Sequence, residues 1–103
     1  MEADVAFADA GVAADTVHER CHGTGHWFAG TASDPRDPLA ALHDLGLEPG
    51  SYFYVRCTNA GVARAAALLL RLEQGYRTAP SPAGAECVFV YAYTITDEAR
   101  GVK

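Results

Sequence analysis

The stretch from Tyr52 to Thr96 constrains the fold most, because two segments typical of β-strands flank one that is typical of a long helix. The first segment, residues 52–57, reads YFYVRC and combines aromatic and β-branched residues with a period of two. This alternation predicts a core face made of Phe53, Val55 and Cys57. The last segment, residues 86–96, reads ECVFVYAYTIT and is apolar on both faces, which predicts an interior strand.

The helical segment between these strands has clear start and stop signals. Asn59 suits an N-cap, and Gly75 favours the left-handed conformation that ends a helix. The apolar period predicts that four residues are buried: Val62, Ala66, Leu69 and Leu72. Arg64 and Arg71 mark the solvent face, and residues 78–85 have the composition of a loop. The order predicts a right-handed β-α-β crossover, with an antiparallel return of the last strand as the alternative.

A shorter helix is predicted for DPLAALHDLG, residues 37–46, with Asp37 as N-cap and Gly46 at its end. Its predicted buried stripe consists of Leu39, Leu42 and Leu45. Residues 48–51 (EPGS) predict a type II turn.

Residues 1–33 are less regular. Short strands are predicted in residues 4–11 and 25–32, with a helix or an exposed connection over Val12–Cys21. We therefore expect residues 1–103 to form one two-layer α/β (or α+β) domain, with helices on a sheet of about four strands. Residues 37–96 are the predicted stable core.

Composition excludes several classes of function. The chain has 103 residues, half of them apolar, and a net charge of -5. Its basic residues are scattered and form no stripe, which argues against direct nucleic-acid binding. No apolar run approaches the ~20 residues of a membrane helix. Three cysteines without a dense disulfide framework, and an N-terminus unlike a signal peptide, predict a cytoplasmic protein without a membrane partner.

The densest group of potential metal ligands lies in HERCHGTGHWF, residues 18–28. On a continuous helix His18, Cys21 and His22 share one face, with His26 four residues further on. Zinc accepts imidazole and thiolate together, so these four residues are the candidate zinc site.

The glycines of this stretch favour a different interpretation. Gly23 and Gly25 end any helix near His22 and move His26 out of line. The letters CHGTG resemble half of the zinc knuckle of DnaJ-type chaperones, but His18 stands at its first cysteine position and no second knuckle follows. We therefore expect a turn and a strand start with mostly exposed histidines, and no cofactor.

Cys57 is the candidate nucleophile. It ends a strand before a helix, where unpaired amides lower the pKa of a thiol. VRCTNAGVAR resembles the strand, cysteine loop and helix of rhodanese-like sulfurtransferases and cysteine phosphatases, which implies thiol chemistry at Cys57. However, Arg64 is one residue too far away for the phosphatase pattern, and Val62 replaces the loop arginine. Strand alternation also points Cys57 into the core, so we expect a packing role.

The tyrosines suggest another function. Five occur in the chain, and we expect four of them to serve as a binding surface: Tyr52, Tyr54, Tyr91 and Tyr93. The sequence shows no close carboxylate pair for acid–base catalysis and no phosphate-binding loop, which disfavours an enzyme.

We therefore expect a small acidic protein of a bacterium or mobile element that binds another protein, as a regulator, inhibitor or immunity-type protein. A metal-binding protein and a thiol enzyme are the alternatives, and homo-oligomerisation is compatible with all three.

Overall fold

One four-stranded mixed sheet organises the protein, whose computed structural model describes residues 6–21, 26–79, 81 and 84–95. The strands are β1 (His26–Ala32), β2 (Ser51–Arg56), β3 (Arg77–Thr78) and β4 (Phe89–Ile95). The helices are α1 (Ala10–Arg20), α2 (Arg36–Asp44) and α3 (Ala60–Gln74). The strand order is β2-β4-β1-β3. The predicted α/β architecture, with helices on a sheet of about four strands, is confirmed.

The strand after α3 returns antiparallel. β4 pairs antiparallel with both β2 and β1, while the two-residue β3 pairs parallel with β1. The segment from Tyr52 to Ile95 therefore takes the alternative to the parallel crossover, and β2 and β4 become neighbours. β4 is an interior strand, as its two apolar faces predict.

Helices α1 and α3 cover one face of the sheet, which carries small residues. β4 presents Val90 and Ala92 there, beside Ala29 of β1 and Val55 of β2. The helices bury mainly small side chains against them: Ala13, Ala14 and Val17 from α1, and Ala63, Ala66, Ala67 and Leu70 from α3. Small side chains on both layers allow the helices to approach the sheet closely.

Helix α2 lies on the opposite face, which carries larger side chains. Leu42 is the buried residue of α2, and it packs in a second apolar cluster with Tyr91, Tyr93 and Ile95. This helix contacts the other helices and strands less than α1 and α3 do. In the described ranges, no helix has the length and apolarity needed to cross a bilayer.

The start and end of α3 are as predicted, but its buried face is not. The side-chain oxygen of Asn59 accepts the N–H of Val62 at 2.9 Å, and Gly75 has a φ of 77°. Ala66 is buried, whereas Val62 and Leu69 are only partly buried and Leu72 is 74% exposed. The helix is apolar around most of its circumference, so periodicity alone could not show that α1 and the sheet select its small residues.

Helix α2 begins two residues earlier than predicted, and Asp37 is not its N-cap. The N-cap position is Pro35, and the Asp34 carboxylate accepts the N–H of Arg36 at 2.9 Å. Asp37 instead lies in the first turn. Gly46 has the expected left-handed φ of 76°, which ends the helical segment.

Two further details of this region differ from the predictions. Of the expected buried stripe, Leu42 is buried, Leu39 is partly buried and Leu45 is 73% exposed. The prediction of a type II turn at residues 48–51 is wrong, because Gly50 does not have the positive φ that such a turn requires. Its N–H donates to the carbonyl oxygen of Thr94 at 2.8 Å, which extends the pairing of β2 with β4.

The first third of the chain contains one of the predicted strands and a helix. β1 confirms the strand predicted in residues 25–32, and α1 shows that the segment after Val12 is helical. The strand predicted in residues 4–11 is reduced to a parallel bridge between Phe7 and Cys57, and positions 4 and 5 lie outside the described residues. Thr78 lies in β3, so the loop predicted for residues 78–85 begins one residue later.

Leu70 provides a test of this core, since it is fully buried whereas Leu72 on the same helix is exposed. We expect Leu70→Ala to lower the free energy of unfolding by about 2–5 kcal/mol, because it removes buried methyl groups and leaves a cavity. Leu72→Ala is the control and should change it by less than about 0.5 kcal/mol. Urea denaturation measures both. Equal losses would contradict the observed orientation of α3.

Candidate apolar binding site

An apolar pocket of about 430 Å³ separates α2 from the sheet. The strands contribute Phe28, Ala32, Tyr91, Tyr93 and Ile95. Helix α2 and the residues after it contribute Pro38, Ala41, Leu42, Leu45 and Leu47. Thr31, Ser33 and Asp37 are the polar residues of the lining. The volume lies near the lower end of the roughly 300–1,000 Å³ range of ligand pockets.

Strand pairing builds the floor of this pocket. Phe28 lies directly opposite Tyr93, which in turn lies opposite Tyr52, so the three side chains form one row across β1, β4 and β2. In the next row Tyr91 lies between Gly30 and Tyr54. The partner of Tyr91 on β1 therefore has no side chain.

The rings of this face contact one another continuously. Phe28 stacks on Tyr93 with centroids 5.1 Å apart, and Tyr93 stacks on Tyr91 at 6.1 Å. Tyr52 lies 6.0 Å from Tyr91 and 6.1 Å from Tyr54. These distances are typical of stabilising aromatic pairs. We call the set Phe28, Tyr52, Tyr54, Phe89, Tyr91 and Tyr93 the aromatic face.

Tyr52 also connects the aromatic face to α2. Its hydroxyl donates to the carbonyl oxygen of Pro35 at 2.5 Å, at the residue that precedes the helix. Burial raises the pKa of Tyr52, and it also raises the pKa of Tyr91 and of Tyr93. All three phenols therefore remain neutral near pH 7 and act as weak polar groups in an apolar site.

The four tyrosines expected to bind a partner lie on one face, but they are not equally accessible. Tyr91 and Tyr93 are 1% and 7% exposed and form the pocket floor, and Tyr52 is partly buried. Tyr54 is 43% exposed. Sequence reasoning did not identify Phe28 or the α2 side chains as part of this site, because they become neighbours of the tyrosines only through the strand order.

The pocket is lined mainly by apolar side chains. Its walls are aliphatic and aromatic, and Asp37 is the carboxylate among its lining residues. General acid–base catalysis commonly needs a second titratable group with a matched pKa. The described lining offers instead a surface that gains free energy by removing an apolar group from water.

The described part of the histidine cluster lies at a separate cleft of about 340 Å³. His18 and His26 both line it, together with Trp27, Tyr76 and Arg77. The Nδ1 atom of His18 lies 2.9 Å from the Tyr76 hydroxyl oxygen. The ring of His18 also lies 5.9 Å from that of Trp27. His18 is thus partly buried by aromatic packing, which corrects the expectation of an exposed side chain.

The other predicted zinc ligands are only partly described. Cys21 is fully buried, and burial raises the pKa of its thiol while a hydrogen bond with Ser51 acts in the opposite direction. His22 lies outside the described residues. Within the ranges that the structure describes, no three His, Cys, Asp or Glu side chains are close enough to hold one metal ion.

Cys57 lies in the core, as strand alternation predicts. It is 3% exposed, and its N–H donates to the carbonyl oxygen of Val88 at 2.8 Å. Burial raises the pKa of this thiol to about 11. A thiolate is therefore disfavoured at neutral pH, which is the reverse of what a nucleophilic cysteine before a helix requires.

Comparison with models of known protein families, with curated protein sequences and with solved structures finds no match to this chain.

The link between Tyr52 and Pro35 gives a prediction about α2. We expect Tyr52→Phe to remove this hydrogen bond and destabilise the attachment of α2 by about 1 kcal/mol. Amide hydrogen exchange in Arg36–Asp44 should then become roughly fivefold faster, with that of α3 unchanged. Mass spectrometry or NMR measures both regions in one sample. Unchanged exchange in α2 would contradict an anchoring role for the hydroxyl.

The raised pKa of Cys57 gives a prediction about its reactivity. We expect iodoacetamide at pH 8 to modify Cys57 much more slowly in the native protein than in urea, since the thiol is buried and protonated below about pH 11. Peptide mapping by mass spectrometry identifies the modified cysteine. Native modification faster than that of a free thiol would support the thiol-enzyme alternative.

Proposed function

We propose that this protein is a non-catalytic binding domain that recognises another protein through the pocket under α2. One observation carries the proposal: a preformed apolar pocket has exposed apolar side chains at its edge and on the neighbouring aromatic face. Leu45 at the pocket edge is 73% exposed, and Tyr54 at the outer edge of the aromatic face is 43% exposed. A small molecule enclosed by the pocket would leave Tyr54 uncovered, whereas a protein surface covers both.

The arrangement agrees with the usual anatomy of protein interfaces. Their binding free energy is concentrated in large side chains that enter pockets, surrounded by residues that exclude water. The pocket is the size that one or two such side chains would fill, and its tyrosine-rich surroundings match the composition of interface cores. A role as regulator, inhibitor or immunity-type protein in the bacterial cytoplasm is consistent with recognition of this kind.

Ala41 and Ala40 provide a matched pair of variants. Both are exposed residues of α2, but Ala41 lines the pocket and Ala40 does not. Random displayed peptides selected on the wild-type protein supply the ligands. We expect Ala41→Trp to weaken their binding at least about tenfold, because the indole occupies the pocket mouth, and Ala40→Trp to leave it within about twofold.

Two outcomes would contradict the proposed function. Peptides that bind Ala41→Trp as well as the wild type would place the binding surface elsewhere. A second outcome is that Ala41→Trp abolishes the binding of a neutral apolar dye but weakens the binding of no selected peptide. The pocket would then be a small-molecule site. Thermal unfolding followed by circular dichroism confirms that both variants are folded.

A further inference from the structure

The charges beside the pocket indicate what kind of protein segment it takes. Residues 34–48, which include α2 and one wall of the pocket, contain four acidic residues and one arginine. The whole chain has a net charge of -5, so much of its negative charge is concentrated in this short segment. Asp37 lines the pocket, and Asp44 and Glu48 are next in sequence to the lining residues Leu45 and Leu47, so a partner that covers the pocket comes near these three carboxylates.

One of the four carboxylates is already neutralised. Asp34 forms an ion pair with Arg36, with 2.8 Å between Oδ2 and Nη2 and a second bond of 3.1 Å from Nε to Oδ1. These bonds lower the pKa of Asp34 to about 2. Asp37, Asp44 and Glu48 remain, all exposed, and none forms an ion pair with a described residue.

The position of Asp44 strengthens this field. It is the last residue of α2, at the negative end of the helix dipole, and Glu48 follows shortly after the helix. An acidic side chain at a helix C-terminus is electrostatically unfavourable for the helix itself. The same arrangement favours a cation supplied by a partner. The described residues that line the pocket include no arginine or lysine.

We infer that the partner segment carries one or two large apolar side chains flanked by lysine or arginine residues. This inference rests on the proposed function, and it specifies the chemistry of the partner. Apolar side chains would fill the pocket, while the flanking cations would lie against Asp37, Asp44 and Glu48. Complementary charges at an interface rim accelerate association and select among partners.

The test uses the peptides selected on the wild-type protein. We expect those that Ala41→Trp blocks to be enriched in Lys and Arg beside their apolar residues. Replacing those Lys and Arg residues by Gln should weaken binding to the wild-type protein about tenfold at low salt and less at high salt. This arm requires no change in the protein, so it does not depend on the folding of a variant.

A protein variant gives the second arm. Combined Asp37→Asn, Asp44→Asn and Glu48→Gln should produce a similar loss for the basic peptides. The matched control neutralises three exposed acids on α1 and α3, with Asp15→Asn, Glu19→Gln and Glu73→Gln, and should have little effect.

The outcomes separate the inference from the proposed function. The inference would be overturned, while the proposed function stands, if the peptides that Ala41→Trp blocks carry no basic residues. It would also be overturned if basic peptides bind equally well after their Lys and Arg residues are replaced and after the acids on and near α2 are neutralised. Equal losses in the α2 variant and its control would also overturn it, because they would show only an effect of net charge. The absence of any peptide blocked by Ala41→Trp would overturn the proposed function itself.

Discussion

The pairing of β4 between β1 and β2 is the constraint on which the rest of the structure depends. Residues that lie directly opposite each other in neighbouring strands have their side chains on the same face of the sheet. The alternation of small and aromatic residues in β4 therefore continues into β1 and β2. Ala92 lies between Ala29 and Phe53 on one face, and Tyr93 lies between Phe28 and Tyr52 on the other. A single register thus places mainly small residues on the face under α1 and α3, with the larger Phe53 beside Ala92, and the rings of the aromatic face on the other. A slip of one residue would exchange them.

The two faces then accept helices in different ways. The small residues under α1 and α3 allow continuous packing, and these two helices also pack against each other. The rings under α2 are large and stand above the sheet, so α2 reaches them mainly through Leu42 and through the Tyr52 hydrogen bond at its start. The space that this leaves is the pocket.

Much of the fold could be predicted from local signals. Asn59 begins α3 through a side-chain hydrogen bond, and Gly75 ends it because glycine readily adopts a positive φ. The alternation of residues 52–57 determines which side of the sheet each side chain faces. The buried face of α3 could not be predicted, because Leu72 and Leu70 look alike in a helix that is apolar nearly all round. The positions of α1 and the sheet decide between them. The turn near Gly50 was wrong for a related reason, since its conformation is set by a bond to the distant Thr94.

The candidate site was harder to predict than the fold. The tyrosines were visible as residues, but the pocket needs Phe28, α2 and β4 together, and these are joined by pairings between distant parts of the chain. The histidine cluster shows the opposite case. Its residues are close together in the sequence, yet His18 contacts the hydroxyl of Tyr76, which follows α3. Proximity along the chain therefore did not determine the surroundings of His18.

The separation of the two faces also has a functional consequence. Binding elements are usually drawn from the less stable parts of a protein, because they must adjust to a partner while the remainder keeps its shape. Here the packed layer of α1, α3 and the sheet holds the aromatic face in a fixed register, whereas α2 is attached at few points. For the proposed binding function, α2 is therefore the wall of the pocket with the fewest contacts to the other helices and strands, whereas the strands of the floor are fixed by their pairing. The acidic residues that we assign to partner selection lie on α2 and just after it. The same wall of the pocket therefore carries both apolar side chains and the carboxylates proposed to attract a basic partner.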